Sequence, residues 1–154
     1  MDPLALTEVS ADAGDVRALL QRHFDLMRAT SPEESCRVMA PDTVADAGVV
    51  MLGLRKAGVL LAIGAFKTIA PRHGELKSMH TAAEARGQGA ARKILDALLA
   101  RAKQDGLSRM SLETGTAPEF TAARALYATY GFENCAPFGD YALDPHSTFM
   151  TRLI

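Results

Sequence analysis

Three features of the sequence predict a mixed α/β fold. The chain has 154 residues, of which 48% are apolar and 23% are charged, and this length and composition are typical of one globular domain, here residues 1–154. Short apolar runs rich in β-branched residues alternate with longer runs of helical periodicity. A long helical pattern separates the fourth predicted strand from the fifth, which indicates a crossover between them. The expected order is strand, two helices, three strands, helix, strand, helix and one or two strands, hence six to seven strands and about four helices.

The N-terminal part predicts one strand and two helices. Leu4–Val9 alternates loosely in polarity and predicts the strand. Ser10 or Asp12 is a potential N-cap for a helix that reaches about Thr30. The segment Ser31-Pro32-Glu33-Glu34 ends this helix and begins a short second one, because Ser caps, Pro fits the first helical position and acids favour the positive helix end.

The middle of the chain predicts an antiparallel hairpin and a further strand. Val49–Leu54 and Val59–Phe66 are β-branched-rich runs separated by Arg55-Lys56-Ala57-Gly58, a spacing that favours a hairpin. A turn at Pro71–Gly74 precedes the fourth strand, Glu75–Thr81. The remaining predicted elements are a Gly-rich loop, a long helix ended by Gly106, a strand Met110–Thr114, a helix Ala122–Tyr130 capped by Gly131, and closing strands Phe132–Cys135 and Thr148–Leu153.

The charge balance excludes partners that need a global positive field. Seventeen Lys and Arg stand against eighteen Asp and Glu, so neither nucleic acid nor a membrane is an expected partner. The opening residues are acidic where a secretory signal needs a basic start, and Ala57–Phe66 is too short to cross a bilayer. Cys36 and Cys135 are too few for a disulfide framework, which favours reduced thiols in the cytoplasm. The four histidines are scattered in the sequence, so no metal is expected.

The segment Arg86-Gly87-Gln88-Gly89-Ala90-Ala91-Arg92-Lys93 carries the clearest sign of chemistry. Two glycines allow a ligand to approach the backbone closely, and the amides of the following helix turn suit phosphate oxygens. Such a turn also serves as a plain connection, so these residues alone leave both interpretations open. The P-loop pattern is absent, and Arg92 stands where a dinucleotide-binding motif needs a small residue.

The segment resembles the pyrophosphate loop Gln/Arg-x-x-Gly-x-Gly/Ala of the GNAT superfamily of acetyl-CoA-dependent N-acetyltransferases, matched here by Arg86, Gly89 and Ala91. Downstream, Leu126-Tyr127-Ala128-Thr129-Tyr130-Gly131-Phe132 is similar to the end of the family's second cofactor helix. The two motifs occur in the family's order and within its strand and helix frame. They cover about residues 75–135, and flanking segments resemble small bacterial members of the YsnE type.

The resemblance implies a GNAT-like fold with a mostly antiparallel sheet whose fourth and fifth strands splay apart around acetyl-CoA. Two departures from the family pattern are Ala83, where proline is common, and Phe120, where asparagine is common. Ala83 removes no main-chain donor from the loop, whereas at Phe120 any cofactor contact of the family's asparagine is lost or replaced. The implied cofactor contacts are Met79, His80, Thr81, Arg86, Gly87, Gln88, Gly89, Ala90, Ala91, Arg92 and Tyr127.

Acetyl transfer to an amine needs a base and an acid. A primary amine with a pKa near 10 is mostly protonated at neutral pH, so a base must remove a proton before attack. By position, Glu75 matches the glutamate of histone-modifying members of the family and Glu113 that of ribosomal-protein acetylating members. The choice stays open, with Glu75 preferred, and either group could instead be a paired or solvated strand carboxylate. Tyr127 matches the family's acid, which protonates the coenzyme A thiolate.

The resemblance therefore implies an N-acetyltransferase that acts on the amine of a small molecule or peptide by direct attack in a ternary complex. A non-catalytic acyl-CoA-binding sensor or interaction module is the alternative, and a nucleotide-binding enzyme is a third option. Small domains of this kind often pair through their sheets, so a homodimer is compatible with the chain. By position in such a fold, the candidate acceptor contacts are His23, Met27, Ser31, Glu34 and Tyr141.

Overall fold

The structure, a computed structural model, describes residues 4–30 and 49–154. Over these residues the helices and strands follow the predicted order. The short helix predicted to begin at Ser31-Pro32-Glu33-Glu34 lies outside the described residues. The elements are β1 (Leu4–Glu8), α1 (Gly14–Thr30), β2 (Val50–Lys56), β3 (Val59–Ala70), β4 (His73–Thr81), α2 (Ala90–Gln104), β5 (Arg109–Gly115), α3 (Thr121–Thr129), β6 (Glu133–Asn134) and β7 (Ser147–Leu153).

The strands form one seven-stranded sheet in the order β1-β2-β3-β4-β5-β7-β6. Neighbouring strands are antiparallel except β4 and β5, which run parallel and are connected by the crossover helix α2. The predicted hairpin between β2 and β3 is confirmed, with Val50 opposite Phe66 and Lys56 opposite Val59. The mostly antiparallel sheet that the family resemblance implied is therefore confirmed.

The two long helices cover opposite faces of this sheet. Alternate residues of β3 belong to different core clusters, since Phe66 packs with α2 whereas Ile63 packs with α1. Helix α2 contributes Ile94 and Leu98, which are fully buried, and burial of such a side chain is worth about 1.5–3 kcal/mol. Gly64 allows this close packing, because a Cβ there would lie 2.5 Å from Ile94.

Strands β4 and β5 diverge after a short paired segment. Their ladder contains only His73, Gly74 and Glu75 of β4, so among the described residues the rest of β4 has no strand partner on its β5 side. Ser78 has a positive φ of 54°, and the register between β3 and β4 shifts near this position. This bulge changes the phase of the strand, as bulges do.

The bulge also decides which β4 side chains share a face of the sheet. Lys77 lies opposite Ala65, and His80 lies opposite Ile63. Ala65 and Ile63 both pack on the α1 side. Because side chains alternate along a regular strand, Lys77 and His80 would lie on opposite faces without the extra residue. With it, both lie on the face that α1 covers.

The helix ends agree with the predicted caps at two of three places. Gly106 and Gly131 both have positive φ, of 93° and 86°, and end α2 and α3. The predicted N-caps of the first helix are wrong, because α1 begins only at Gly14 and the Ser10 hydroxyl instead accepts from the Asp12 amide at 3.1 Å. The closing strand predicted at Phe132–Cys135 is shorter than expected and comprises only β6.

Candidate functional site

A cavity of about 820 Å³ lies where β4 and β5 diverge. Its walls come from α1, β4, β5, α3 and the start of α2, together with Tyr141 from the loop before β7. Gln88 is exposed and is not part of the lining, whereas Ser31 and Glu34 lie outside the described residues. The predicted site residues that line the cavity are His23, Met27, Glu75, Met79, His80, Thr81, Arg86, Gly87, Gly89, Ala90, Ala91, Arg92, Glu113, Tyr127 and Tyr141.

One end of the cavity is formed by main-chain amides and is called here the amide end, residues Arg86–Arg92. Gly87 and Gly89 have φ values of 80° and 77°, a region that favours glycine. Gly89 is the N-cap of α2 and supplies no side-chain cap. Within the described residues, no protein acceptor takes the amide hydrogens of residues 87–92. These donors therefore remain available to a ligand.

The electrostatics of the amide end favour an anion. The N-terminus of α2 carries the positive end of the helix dipole, and exposed amides there bind phosphate groups well. Arg86 and Arg92 are both exposed and add positive charge. The Arg92 guanidinium also lies 5.9 Å from the centre of the Tyr130 ring, and the Tyr130 hydroxyl donates to the Arg92 carbonyl at 3.3 Å. Tyr130 is thereby held against α2 and does not line the cavity.

Tyr127 occupies the α3 wall of the cavity. Its side chain is buried and packs edge-on against Phe132, with ring centres 5.8 Å apart. Burial raises the pKa of the Tyr127 hydroxyl, so the group stays protonated at neutral pH. In the described part of the chain no group forms a hydrogen bond with this hydroxyl. Tyr127 can therefore donate a proton into the cavity.

The other end of the cavity is formed by side chains and is called here the side-chain end: His23, Glu75, Lys77, His80 and Tyr141. Glu75 is buried, and the Tyr141 hydroxyl donates to its Oε2 at 2.5 Å. The Lys77 ammonium lies 3.2 Å from the same oxygen. A buried carboxylate needs such partners, since burial of an unpaired charge is costly. Among the described residues no donor contacts Oε1 of Glu75, so this oxygen can accept a proton.

A contact between two histidines completes the side-chain end. The Nδ1 atoms of His23 on α1 and His80 on β4 lie 3.2 Å apart, and the rings meet edge-on. Burial, with a smaller effect of His80, lowers the pKa of His23 to about 3. Burial, with smaller effects of the Arg86 and Arg22 charges, lowers the pKa of His80 to about 4. Both rings are therefore neutral at pH 7.

Sequence reasoning had placed both histidines at the site without pairing them. They are 57 positions apart, and His80 lies on the α1 face only because of the bulge at Ser78. Nothing in the spacing of the sequence indicates either fact. Lys77 lies two positions after Glu75 in the sequence, but its contact with the Tyr141 hydroxyl, at 3.4 Å over 64 positions, is a result of folding.

Glu113, the second candidate base, lies on β5 opposite Phe149 and is partly buried. It lines the same cavity as Glu75. Within residues 4–30 and 49–154, no group of three His, Cys, Asp or Glu side chains is arranged to hold a metal ion. None of the helices in these ranges is both long enough and apolar enough to cross a membrane.

Comparison with known proteins identifies the family. Residues 16–132 match the Acetyltransferase (GNAT) family. The "Uncharacterized N-acetyltransferase YedL" of Escherichia coli is 41% identical over 136 residues, which are 88% of this chain and 86% of that protein. The "Uncharacterized N-acetyltransferase YsnE" of Bacillus subtilis is 36% identical over 137 residues, which are 89% of this chain and 91% of that protein.

A solved structure agrees with this assignment. The protein from Klebsiella pneumoniae, provisionally named an acyl-CoA N-acyltransferase, superposes with a TM-score of 0.80 at 27% identity and covers 97% of both chains. The family match spans the two motifs, at Arg86–Ala91 and Leu126–Phe132, and most of the cavity walls. The chain therefore belongs to the GNAT family of acetyl-CoA-dependent N-acetyltransferases.

Proposed function

We propose that the chain transfers the acetyl group of acetyl-CoA to the amine of a small molecule or peptide by direct attack in a ternary complex. The observation that carries this proposal is the arrangement of one cavity. Amides without acceptors line one end, and a buried carboxylate with an open oxygen lines the other. Between them lies the segment of β4 that has no partner on its β5 side.

The amide end binds the diphosphate of acetyl-CoA. Its N–H groups donate to the phosphate oxygens, and Arg86 and Arg92 neutralise the charge. The main chain of Met79–Thr81 then bonds the pantetheine arm, since this edge of β4 has no strand partner. An amide near the bulge, at Met79 or His80, supplies the hydrogen bond to the developing oxyanion.

Two residues supply the acid and the base. Glu75 accepts a proton from the acceptor ammonium at Oε1, while Tyr141 and Lys77 fix the carboxylate through Oε2. Tyr127 donates a proton to the sulfur as the thioester bond breaks. Glu113 stays the second candidate for the base because it lines the same cavity.

The acceptor enters at the side-chain end. His23, Met27 and Tyr141 border it, and Met27 and Tyr141 contact the acceptor. The lining there includes both apolar side chains, Leu26 and Met27, and polar ones, His23 and Tyr141, which suits a ligand with an apolar body and one amine.

A panel of amines, amino acids and peptides tests the proposal. Thiol release from acetyl-CoA is measured with each acceptor, and coenzyme A binding is measured by calorimetry. We expect measurable coenzyme A affinity and release that depends on at least one acceptor. Binding without release for any acceptor would instead support a non-catalytic acyl-CoA-binding module. The absence of any affinity for coenzyme A would overturn both.

A further inference from the structure

We propose that His23 and His80 form a proton relay in the acetyl transfer, in which His80 takes a proton from the acceptor nitrogen and His23 passes one on to water. This inference rests on the proposed function and assigns a second proton acceptor to it. The Nδ1 atoms of the two rings lie 3.2 Å apart, and both side chains line the cavity.

The contact fixes the tautomers of the two rings. An Nδ1 to Nδ1 hydrogen bond requires that one ring carries its proton on Nδ1 and the other on Nε2. The pair therefore presents one Nε2 that accepts and one Nε2–H that donates. Among the described residues, neither Nε2 has a hydrogen-bond partner. No fully buried side-chain nitrogen of these residues lacks a partner, so both Nε2 atoms are accessible, and both rings line the cavity.

The position of His80 makes it the ring that meets the acceptor. It follows Met79 on the part of β4 that has no partner toward β5, where we place the thioester. The bulge at Ser78 turns its side chain to the α1 face, which also carries Glu75 and Lys77. His23 is almost fully buried behind it. His23 acts through His80 and is a positioning residue.

The charges around His23 and His80 disfavour a lasting positive charge on either ring, so a proton that reaches the pair is passed on. The charged groups that act on His80 are Arg22 on α1 and Arg86 in the turn before α2. Arg22 is partly neutralised by Glu84 at 3.5 Å, on the exposed surface. A buried imidazolium between two guanidinium groups is unfavourable. A proton that arrives at one Nε2 therefore leaves at the other, without a long-lived cation.

The proton count of the reaction calls for two acceptors. An ammonium group loses two protons when it becomes an amide nitrogen, and Glu75 Oε1 takes the first before attack. As the C–N bond forms and the C–S bond breaks, His80 Nε2 takes the second. The Nδ1 proton of His80 moves to His23 Nδ1, and His23 Nε2 releases a proton to water. Tyr127 protonates the sulfur and regains its proton from water, and Glu75 releases its proton to water. A reverse shift with water restores the tautomers, so one turnover releases one proton.

The kinetic test uses the variants His80→Asn and His23→Asn. Asparagine retains a hydrogen-bonding group near the Nδ1 position but cannot relay a proton. Two substrates are compared. The first is the amine from the panel that reacts fastest. The second is its analogue with fluorine on the carbon next to the amine carbon, whose amino group is neutral at the assay pH. We expect kcat of His80→Asn to fall by about 100-fold with both amines, the lower limit for loss of a general base.

A comparison of His80→Asn with Glu75→Gln distinguishes the second deprotonation of the amine from the first. Glu75→Gln should slow the basic amine but spare the fluorinated one, because that amine needs no deprotonation before attack. His23→Asn should lower kcat with both amines and leave KM and coenzyme A affinity unchanged. His73→Asn is the matched control, since His73 lies on the same strand but does not line the cavity, and its kcat should not change. An unchanged kcat in His80→Asn would overturn the relay.

Nuclear magnetic resonance tests the pair without any acceptor. Long-range ¹H–¹⁵N spectra of the wild-type protein should show one ring with its proton on Nδ1 and the other on Nε2. Neither ring should titrate between about pH 5 and 8, where an unperturbed histidine does. Two rings that titrate normally would overturn the relay even if acetylation occurs. If no amine is acetylated but the tautomers are as expected, the proposed function fails and the pair remains a structural contact.

Discussion

The amide end and the side-chain end of the cavity are built in different ways. At the amide end, six consecutive residues, 87–92, present available main-chain donors whose positions depend on backbone conformation. At the side-chain end, the contacts join residues 57 positions apart, as in His23 and His80, and 66 apart, as in Glu75 and Tyr141. The first end is local in sequence, and the second exists only in the folded chain.

Because the two ends are built differently, we expect them to have different functions. Main-chain donors can bind a diphosphate in any sequence that keeps the backbone conformation, so under the proposed function the amide end binds the co-substrate. Under the same proposal, the side-chain end selects the acceptor and carries out the proton transfers. A substitution at one end should therefore change one substrate's binding or one chemical step and spare the other.

The largest effect on one end with no effect on the other is expected for Gly89→Asp, compared with Gly89→Asn. Both residues tolerate the positive φ of this position better than other side chains, and a Cβ there meets no atom within 4 Å. The carboxylate repels the diphosphate, and two unit charges 4 Å apart interact by roughly 4 kcal/mol near a protein surface. We expect calorimetry to show coenzyme A affinity at least about 100-fold weaker for Asp than for Asn.

The melting temperature provides the control for this pair. Aspartate at an N-cap stabilises a helix through its hydrogen bonds and the helix dipole. The Asp variant should therefore melt no lower than the Asn variant while it binds coenzyme A more weakly. Equal affinity in the two variants would mean that the amide end does not hold the diphosphate.

Tyr127→Phe should have the next largest effect and should leave binding at both ends intact. Loss of the acid is expected to lower kcat by about 100-fold or more. The dissociation constant of coenzyme A should not change, and stability should be nearly constant because the hydroxyl forms no hydrogen bond among the described residues. Because burial raises the pKa of Tyr127, the wild-type rate should not decline below about pH 10 through this group. An unchanged kcat would remove Tyr127 from the mechanism.

The same contrast explains what the sequence could predict. The order of elements follows from local periodicity, and the amide end follows from one Gly-rich segment, so both were accessible. The splay of β4 and β5 was implied by the family resemblance and is confirmed by the short ladder that stops at Glu75. The roles of Glu75, Glu113 and Tyr127 stay predictions.

The contacts of the side-chain end could not be predicted. The bulge at Ser78 has no signature of its own, since serine is neither glycine nor asparagine at a positive φ. The pairing of His23 with His80 and of Glu75 with Tyr141 depends on that bulge and on how α1 and the last loop pack on the sheet. Such contacts arise from tertiary packing, which local propensity does not encode.

Glu75→Gln tests the side-chain end with an intermediate effect. We expect kcat/KM for a protonated amine to fall by about 100-fold, the lower limit for loss of a general base, and the decline of the rate at low pH to disappear. Glu113→Gln should keep that decline, and the reverse pattern would assign the base to Glu113. Coenzyme A affinity should be the same in both variants.

Stability needs a separate control in Glu75→Gln, because the change leaves the Lys77 ammonium without its partner. Removal of one member of a buried ion pair costs about 3–5 kcal/mol, and the pair here is largely buried, with side-chain exposures of 6% for Glu75 and 12% for Lys77. The double variant Glu75→Gln with Lys77→Met removes both charges. It should regain stability in chemical denaturation but not activity, which separates the chemical role of Glu75 from its structural one.

The smallest effect is expected for Asp15→Asn, which loosens α1 without touching the cavity. Asp15 lies in the first turn of α1 and accepts hydrogen bonds from Arg55 on β2, one of them at 3.2 Å. The pair is partly exposed, so its loss should cost about 0.2–1 kcal/mol. Because α1 carries Met27, which lines the cavity where the acceptor is proposed to bind, KM for the amine should rise slightly while coenzyme A affinity stays constant. An equal change in the KM for the amine and in the coenzyme A affinity would mean that the two ends of the cavity are mechanically coupled.

The pH dependence of stability identifies this ion pair independently. The hydrogen bond from Arg55 lowers the pKa of Asp15 below its ordinary value of 3.8. A lowered folded-state pKa means that the pair stabilises the native state fully above pH 3.8 and loses this contribution as the pH falls through the lowered value. The difference in free energy of unfolding between wild type and Asp15→Asn should therefore be constant from pH 5 to 7 and shrink toward zero in acid. A difference that persists in acid would mean that the substitution acts through the packing of α1 and not through the ion pair. The buried face of α1 would then be what connects this helix to the side-chain end.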